Sequence, residues 1–544
     1  MTPPRIWLLH AARMGKPARI SLLGVRTLLE QEGIPHEVSR AGDARPAEGD
    51  VLVVADVGSF DAVERRRVAG LVRRHPTIWA GQLSATERGL ARALRVRVVA
   101  TDETRYLRII ALGRHATTRP FTEPYERRLR IKHTPHAIME PRDDGCEIAA
   151  LTLDDGWRLG AAAIARQAPV RGVTFAVPLG LAFAIRTGLH IDARRDADVH
   201  DFPISATVDV LRAWLRECII WVAERRPVAR VYQWPAGEAA VDHAPTGALV
   251  LSHDLCGYPN GVAKIRNVVE AAGATTTFFD IYPPRMKRGE PGRHVVALHL
   301  GDDSTSDDFR TGRQALEKRH GRTVRGWRRH GPTAAANYPT VWRNAEAAGV
   351  LWGDTFPCQS HPSRSQCSPQ PTSNRLPYRV IDIERGRRLR LLMLSVFDTD
   401  DADRLSNIHY GLKLPWPEFD RVVQARLDFA ARHHLIAGYL LHGWTAAVRN
   451  NDGRGIGALD CQRMLGRIIT QGRARGMMVI DCEQLYDWWM LRSRVRIEPV
   501  EGGWIVRVPR SEFTPFVEIM SGPRRRLVRV GQGRTRIGTS MARA

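Results

Sequence analysis

An alternation of short apolar runs with helical patterns occurs twice along the chain and limits its fold more than any other feature. Within residues 247–282, an apolar run leads into a Ser-His-Asp triplet that ends at Asp254. A helical pattern over 262–272 and a second apolar run over 275–281 follow, which together predict a strand, a helix and a strand. Strands that alternate with helices predict a parallel α/β sheet. Polar side chains at the carboxyl ends of such strands are the usual place for chemistry, so Asp254 is the first candidate residue.

The first 100 residues carry the same alternation. Apolar runs predict strands over 5–10, 50–55, 77–80 and 96–100, and periodic runs predict helices over 22–32, 62–74 and 85–94. This order is typical of a flavodoxin-like, doubly wound parallel sheet. Beyond residue 100 the pattern changes to polar loops and short strands, which include 147–153 and 173–177.

Three further regions follow this first domain. From 246 to 492 the α/β alternation returns, and about seven strand and helix units favour a deformed (β/α)7 barrel over an open sheet. Residues 183–245 contain an amphipathic helix and are punctuated by proline and glycine, so they are predicted to be a linker. The tail, 493–544, alternates polar and apolar residues, which predicts a small β module. The predicted fold class is therefore α/β, with the first domain over 1–182.

Composition narrows the set of partners. The 544 residues carry a formal net charge of +23, but the arginine excess is spread along the whole chain among acidic residues. This distribution favours solvated surfaces, so nucleic-acid binding is not expected. No window approaches about 18 consecutive apolar residues, so no membrane span is expected. Seven scattered cysteines without a CxxC motif, and a start without a secretory pattern, favour a reduced, cytoplasmic compartment.

The strand and helix order of residues 1–182, with Gly33-Ile34-Pro35 after the first helix, resembles the class I glutamine amidotransferase-like fold. The resemblance implies a cysteine nucleophile on a turn after a strand. Here Gly81-Gln82-Leu83 follows the strand predicted over 77–80, and no cysteine precedes Cys146. We therefore expect this domain to be non-catalytic, either a scaffold or a ligand-binding module.

Two stretches resemble the "TFDDG … ATFF" pattern of polysaccharide deacetylases, the NodB-homology superfamily. One is 151–156, which contains Asp154-Asp155-Gly156 and precedes a strand near 175. The other is 251–254, which precedes the apolar run over 275–281. In that family, as the resemblance implies, one carboxylate acts as general base on a water. A second carboxylate and two histidines hold a divalent metal that polarises the water and the amide carbonyl.

The second stretch is preferred because segments that resemble the rest of the family pattern follow it in order. These are Ala297-Leu298-His299, the "VRGxRxH" segment 324–330, Trp342 with Gly353-Asp354-Thr355, Leu440-Leu441-His442, and the "WW..R" ending within 486–492. The resemblance covers roughly 240 residues, and the order of the motifs is more specific than any one of them. Asp154-Asp155-Gly156 lacks such partners, and its alternative interpretation is a surface turn.

The resemblance implies a role for each candidate residue. Asp254 would be the general base and contact the metal, which His299 would also bind. Cys256 and Asp303 stand where the family has an aspartate and a second histidine, and both can bind zinc, the expected metal. His442 would protonate the leaving amine or stabilise the oxyanion. Arg325, Arg328 and His330 would bind a sugar or anionic group, or would instead pair with Asp354, which is itself a candidate for substrate binding.

The function implied by the resemblance is metal-dependent hydrolysis of an N-acyl amide on a carbohydrate. The alternative is a non-enzymatic carbohydrate-binding or assembly protein that keeps the barrel and has lost the full ligand set. Bound metal in the purified protein separates the two hypotheses. A third hypothesis, a basic nucleic-acid-binding protein, predicts strongly salt-dependent retention on DNA.

Overall fold

The computed structural model describes the chain in fifteen segments, and all structural statements concern these. They are residues 2–102, 108–131, 135–153, 155–187, 206–236, 243–255, 259–301, 303–329, 339–354, 358–360, 367–369, 374–396, 399–400, 416–443 and 458–541. No helix within these segments is long and apolar enough to cross a membrane.

The N-terminal sheet has eleven strands in the described part of the chain. They are β1 (Ile6–His10), β2 (Glu37–Arg40), β3 (Val51–Val54), β4 (Thr77–Trp79), β5 (Val96–Asp102), β6 (Arg108–Leu112), β7 (Arg128–Ile131), β8 (His136–Pro141), β9 (Cys146–Thr152), β10 (Arg158–Arg166) and β11 (Gly172–Phe175). One half, in the order β2-β1-β3-β4-β11, is entirely parallel. It confirms the predicted alternation, and the fully buried β3 explains the continuous apolar run there.

The other half of this sheet is antiparallel. Strands β10, β9, β6 and β7 continue the sheet from β11, while β5 pairs with β8 and β8 pairs with β10. The prediction of a parallel strand over 96–100 was therefore wrong, because β5 pairs with β8 in antiparallel orientation. Local periodicity marks a strand but does not specify its partner, and these strands meet through antiparallel hairpins.

Six helices accompany this sheet in the described segments: α1 (Lys16–Glu32), α2 (Ala62–Val72), α3 (Arg88–Ala93), α4 (Pro124–Arg127), α5 (Leu179–Thr187) and α6 (Thr207–Val222). Helix α1 ends at Gly33, whose φ of 69° is left-handed and lets its N–H bond back to Glu30 and Leu29. Helices α1 and α5 touch through glycines, since a Cβ on Gly24 would lie 2.0 Å from the carbonyl oxygen of Gly180. Helix α6, the predicted linker helix, is almost wholly buried.

The second sheet has ten strands in the described segments. They are β13 (Ala248–Asp254), β14 (Thr277–Ile281), β15 (Val295–Leu300), β16 (Gly326–Arg329), β17 (Trp352–Asp354), β20 (Tyr378–Asp382), β21 (Arg387–Met393), β22 (Thr399–Asp400), β23 (Ile436–Leu440) and β24 (Met478–Ile480), with a separate hairpin of β18 (Cys358–Ser360) and β19 (Cys367–Pro369). The order is β20-β21-β17-β16-β15-β14-β13-β23-β22, and every pair except β20 with β21 is parallel. Among the described residues β20 and β22 are edge strands, so closure into a barrel stays a prediction.

Helices flank this parallel sheet, as the alternation predicts. They are α7 (Val262–Ala271), α8 (Ser306–His320), α9 (Thr340–Ala347), α10 (Trp416–His433), α11 (Ala458–Ala474) and α12 (Cys482–Arg492). Helix α12 starts where Asp481 accepts from the Gln484 backbone N–H in a capping box.

The C-terminal tail forms strands, as its alternation predicts. They are β25 (Arg496–Val500), β26 (Gly503–Val508), β27 (Phe516–Ser521), β28 (Arg524–Arg529) and β29 (Gly533–Gly538). Strands β25, β26 and β29 make one sheet, whereas β27 pairs with β28 on one side and, on the other, with β12 (Val228–Val231) from the predicted linker. The linker therefore contributes a strand to the module and is more than a connection. One continuous apolar core joins the two large sheets through α6.

Candidate active site

Five parallel strands, β13 to β17, lie side by side in the second sheet, and four of them carry a polar side chain at their carboxyl ends. Asp254 ends β13, and Phe279 of β14 stands opposite it. His299 of β15 stands opposite Arg328 of β16, which stands opposite Asp354 of β17. All of these residues are buried. The register brings side chains from distant parts of the sequence to the carboxyl ends of adjacent strands, where the alternation predicts the chemistry.

Arg328 is the centre of this cluster. Its Nη1 donates to Oδ1 of Asp254 at 2.9 Å, and its Nη2 donates to the Ser252 hydroxyl at 2.7 Å. Its Nε and Nη2 both donate to Oδ2 of Asp354, at 3.0 and 2.7 Å. The guanidinium lies 4.0 Å from the centroid of the Phe279 ring. Four of its five N–H groups thus hold three side chains in fixed positions.

Two histidines adjoin Asp254. Nε2 of His299 lies 3.6 Å from Oδ2 of Asp254, while Nδ1 of His299 lies 3.2 Å from the Arg328 carbonyl oxygen. His442 is buried just beyond β23, and the pairing of Ser252 with Leu440 brings it level with Asp254. Asp254 therefore has one arginine and two histidines near its carboxylate.

This environment keeps Asp254 ionised. Burial by itself raises the pKa of Asp254, but His299, Arg328 and His442 outweigh burial and hold the pKa below its ordinary value. Burial also raises the pKa of Asp354, and there Arg328 does not fully offset it. The two carboxylates share one guanidinium, but Asp254 also has two histidines nearby. The pKa of Asp254 is therefore lowered while that of Asp354 is raised.

His253 belongs to the opposite face of β13 because side chains alternate along a strand. Its Nδ1 lies 3.0 Å from the Leu441 carbonyl oxygen, and its ring packs 5.5 Å from that of Phe278. Burial is the main reason that the pKa of His253 is lowered to about 3. The ring is therefore neutral at ordinary pH, and we assign it to packing rather than to the site.

The described side chains do not by themselves fit a divalent metal. Asp254 and His299 adjoin, but Asp303 is exposed on the turn before α8, with Oδ1 folded toward Gly301. Within the described segments, no group of three or more His, Cys, Asp or Glu side chains is suited to hold a metal ion. Arg328 already supplies a cation to Asp254, and Cys256 lies outside the described residues.

Of the remaining candidates, the structure places Arg325 away from this cluster. Arg325 precedes β16 and pairs with Glu483 and Asp487 of α12, about three residues, or roughly 10 Å of strand, from Arg328. His330 and Asp154 lie outside the described residues, and the neighbouring Asp155 is exposed at the turn between β9 and β10. Asp354 does lie in the cluster, where it pairs with Arg328.

No role was predicted for Ser252 from the sequence, whereas Arg328 was predicted either to bind a sugar or anionic group or to pair with Asp354, and the structure shows that pairing. Both lie inside motifs that were recognised, one in the triplet that ends at Asp254 and the other in "VRGxRxH". The signal for Ser252 is its two-residue spacing from Asp254, which places both side chains on one face of β13. That Arg328 contacts this face is visible only from the register of β16.

No protein-family model matches the chain, and no curated protein gives a significant match. Among solved structures, it resembles Agd3, described as a novel carbohydrate deacetylase, with a TM-score of 0.37 and 11% identity over 96% of this chain and 92% of that one. It also resembles the Bc1960 peptidoglycan N-acetylglucosamine deacetylase, with a TM-score of 0.26 and 14% identity over 44% of this chain and 88% of that one. A third similar structure is wild-type BA3943 from Bacillus anthracis, a CE4 family pseudoenzyme, with a TM-score of 0.24 and 13% identity over 44% of this chain and 65% of that one. Because these TM-scores are below 0.5, we base the functional proposal on this chain's own side chains.

Proposed function

We propose that the protein is a hydrolase of the polysaccharide deacetylase type that cleaves an N-acyl amide on a sugar. The observation that carries this proposal is the ionised Asp254, held by Arg328 and flanked by His299 and His442, at the carboxyl ends of parallel strands. Amide hydrolysis needs a base for water and an acid for the leaving nitrogen, and carboxylate and imidazole side chains supply both.

Asp254 is the proposed base. Its low pKa keeps it ionised at neutral pH, so it is ready to accept a proton from a water that attacks the amide carbon. Arg328 is a positioning residue: it orients the Asp254 carboxylate and is itself oriented by Asp354 and Ser252. This arrangement fixes the direction from which water is deprotonated.

His442 is the proposed acid. It would give its proton to the nitrogen of the leaving amine as the C–N bond breaks, which completes hydrolysis to an acid and an amine. His299, next to Asp254, would stabilise the negative charge that develops on the carbonyl oxygen.

Metal dependence is a separate part of the proposal. Two of the four predicted ligands, Asp254 and His299, adjoin; of the other two, Cys256 lies outside the described residues and Asp303 is exposed on the turn before α8. A bound zinc would supply Lewis-acid polarisation of the substrate carbonyl. No step proposed above depends on it. Elemental analysis of the purified protein, and activity before and after chelation and readdition of zinc, manganese or cobalt, decide whether a metal takes part.

We further propose that the N-terminal sheet is the amidotransferase-like module and is not catalytic. The turn after β4 continues through Ala80 and Gly81, and the module's first cysteine, Cys146, is exposed in β9 of the antiparallel half. A thiol nucleophile of that fold belongs on the turn after a parallel strand. The C146S variant is therefore expected to keep the full amide hydrolase rate.

The second candidate is a non-enzymatic carbohydrate-binding protein on the same scaffold. It is favoured by one observation: only two of the predicted metal ligands adjoin within the described residues, and Arg328 neutralises one of them. This candidate predicts saturable sugar binding without turnover.

Release of acetate from N-acetylglucosamine oligomers tests the proposed function. We expect Asp254→Asn to lose about 10²- to 10⁴-fold in rate. The matched control is Asp307→Asn, which removes a carboxylate from an exposed position on α8 and should keep the wild-type rate. If wild-type protein, with and without each added metal, releases no acetate while it binds the same oligomers, the non-enzymatic candidate is correct.

A further inference from the structure

A large cavity lies away from the candidate active site, where the N-terminal sheet meets the second sheet and the C-terminal module. Its volume is about 670 Å³. Residues of α1 and β2 line one side, the β20–β21 hairpin lines another, and α12 with β25 closes it. Neither Asp254 nor Arg328 lines it, so the cavity is separate from the candidate active site.

The charged lining of the cavity is mostly positive. Six arginines and three glutamates line it: Arg5, Arg26, Arg379, Arg388, Arg492, Arg496, Glu30, Glu37 and Glu498. Arg26 and Arg388 share the single carboxylate of Glu30, at 2.8 and 2.9 Å. Glu30 therefore cannot neutralise both guanidiniums, and positive charge remains on this wall.

Arg379 adds a third guanidinium to the same wall. Its Nη1 donates to the Arg390 carbonyl oxygen, and its Nη2 faces the Met490 sulfur at 4.0 Å. Within the described residues no carboxylate forms an ion pair with Arg379, although Glu30 acts on it from farther away. Burial, followed by the neighbouring Arg388, lowers the pKa of Arg379 below its ordinary value. A half-buried guanidinium that adjoins a like charge is stabilised when an anion arrives.

The adjacent Arg492 shows how a cation is satisfied when no ligand is needed. It donates to the backbone carbonyl oxygens of Tyr232, Glu30, Gln31 and Val231 at 2.9 to 3.0 Å. Within the described residues Arg379 donates to one carbonyl oxygen and to the Met490 sulfur. Its guanidinium therefore keeps further N–H groups for an anionic partner.

The lining also contains apolar side chains, among them Trp489, Trp504, Ile497 and Pro499. A volume near 670 Å³ is within the range of small-molecule pockets, about 300 to 1,000 Å³. An apolar wall that faces a guanidinium cluster suits a ligand with a ring and an acidic group.

We propose that this cavity binds a small organic anion, a carboxylate or phosphate carried on a ring of about monosaccharide to disaccharide size, and that Arg379 and Arg388 hold its acidic group. The site is independent of the proposed hydrolase activity. Ligand binding there would bridge the N-terminal sheet, the β20–β21 hairpin and α12.

Isothermal titration of the full chain tests the proposal with four probes: D-glucuronate, D-glucose 6-phosphate, inorganic phosphate and the neutral D-glucose. We expect saturable binding of at least one acidic sugar, with an affinity for D-glucose at least tenfold weaker. Arg379→Gln should weaken the acidic sugar at least tenfold, and Arg379→Lys, which keeps the charge, should weaken it less. The matched control, Arg385→Gln, removes an exposed guanidinium from the same hairpin outside the lining and should bind as wild type does.

The source of the acidic group follows from the same titrations. Tighter binding of glucuronate indicates a carboxylate ligand, and tighter binding of glucose 6-phosphate indicates a phosphate ligand. Any of three results overturns the proposal. The first is that no acidic probe binds, at about 10-fold molar excess over the protein and at concentrations up to about 10 mM. The others are that D-glucose binds as tightly as the acidic sugars, or that Arg379→Gln and Arg385→Gln bind the acidic sugar with equal affinity. If Arg379→Gln does not fold, Arg379→Lys against Arg385→Gln decides.

Discussion

Replacing Glu32 with glutamine disrupts the most heavily charged buried contact between the N-terminal domain and the rest of the chain. Glu32, at the end of α1, is 2% exposed. Its carboxylate pairs with Arg212 and Arg216 of α6, both at 3.0 Å, and with Arg230 of β12 at 2.6 Å. Glutamine keeps the shape and one oxygen but removes the charge, which leaves three guanidiniums close together.

The size of the effect follows from the pKa of Glu32. Burial alone raises this pKa, but the three arginines outweigh burial and bring it from 4.5 to about 2. At about 1.4 kcal/mol per tenfold change, the ionised form contributes about 3 kcal/mol to the free energy of unfolding at neutral pH. Removing one partner of a buried pair generally costs about 3 to 5 kcal/mol, so we expect a loss of about 3 kcal/mol or more.

The pH dependence has a definite sign. Because the folded pKa is depressed, the contribution is complete above about pH 4.5 and is lost as pH falls toward about 2. The difference in unfolding free energy between wild type and Glu32→Gln should therefore narrow by about 2 kcal/mol between pH 7 and pH 3.

Urea unfolding followed by tryptophan fluorescence measures this difference at both pH values. The matched control is Glu37→Gln, which removes a half-exposed carboxylate of the same domain and should change stability by about 1 kcal/mol or less. The reasoning is refuted if Glu32→Gln loses less than about 1 kcal/mol at pH 7, or if its difference from wild type does not shrink at pH 3.

Three further predictions concern stability in urea and the reactivity of cysteines. Arg328→Met should destabilise the chain by about 3 to 5 kcal/mol in urea because two buried carboxylates lose their partner; a neutral result would contradict the assigned contacts. Trp327→Ala should cost about 3 to 5 kcal/mol in the same assay because this fully buried ring is core rather than a sugar platform. In the native protein, iodoacetamide followed by mass spectrometry should modify the exposed Cys146 far faster than Cys482, whose pKa is raised by burial; equal rates would show that Cys482 is accessible.

Elements with a strong local signal agreed closely with prediction. Helix α12 spans the predicted residues 482–492, because Asp481 caps it and its apolar residues recur at helical spacing. The buried run of β3 and the strands β13 to β17 were likewise predictable from apolar runs between turns. The strand partners of β5 to β10 and of β12 were not, because a single strand's pattern is the same for parallel and antiparallel neighbours.

The candidate site divides in the same way. Asp254, His299 and His442 were found from the order of motifs, and the structure brings all three together. Their roles, and those of Arg325, His330, Cys256 and Asp303, stay predictions. Arg325 illustrates the limit: its motif matched, yet it pairs with α12, because a position three residues earlier on a strand lies at a different height in the sheet.

The amino-acid sequence alone predicted an α/β chain, its alternation of strands and helices, and an acidic residue at a strand end as the candidate centre of chemistry. Tertiary structure decided which charges meet. Glu32 pairs with arginines that lie 180 to 198 residues away in the sequence, and Arg26 and Arg379 line the same cavity although they are distant in the sequence. Such contacts depend on strand register and on how the sheets pack through α6, and neither property is encoded in the periodicity of any one segment.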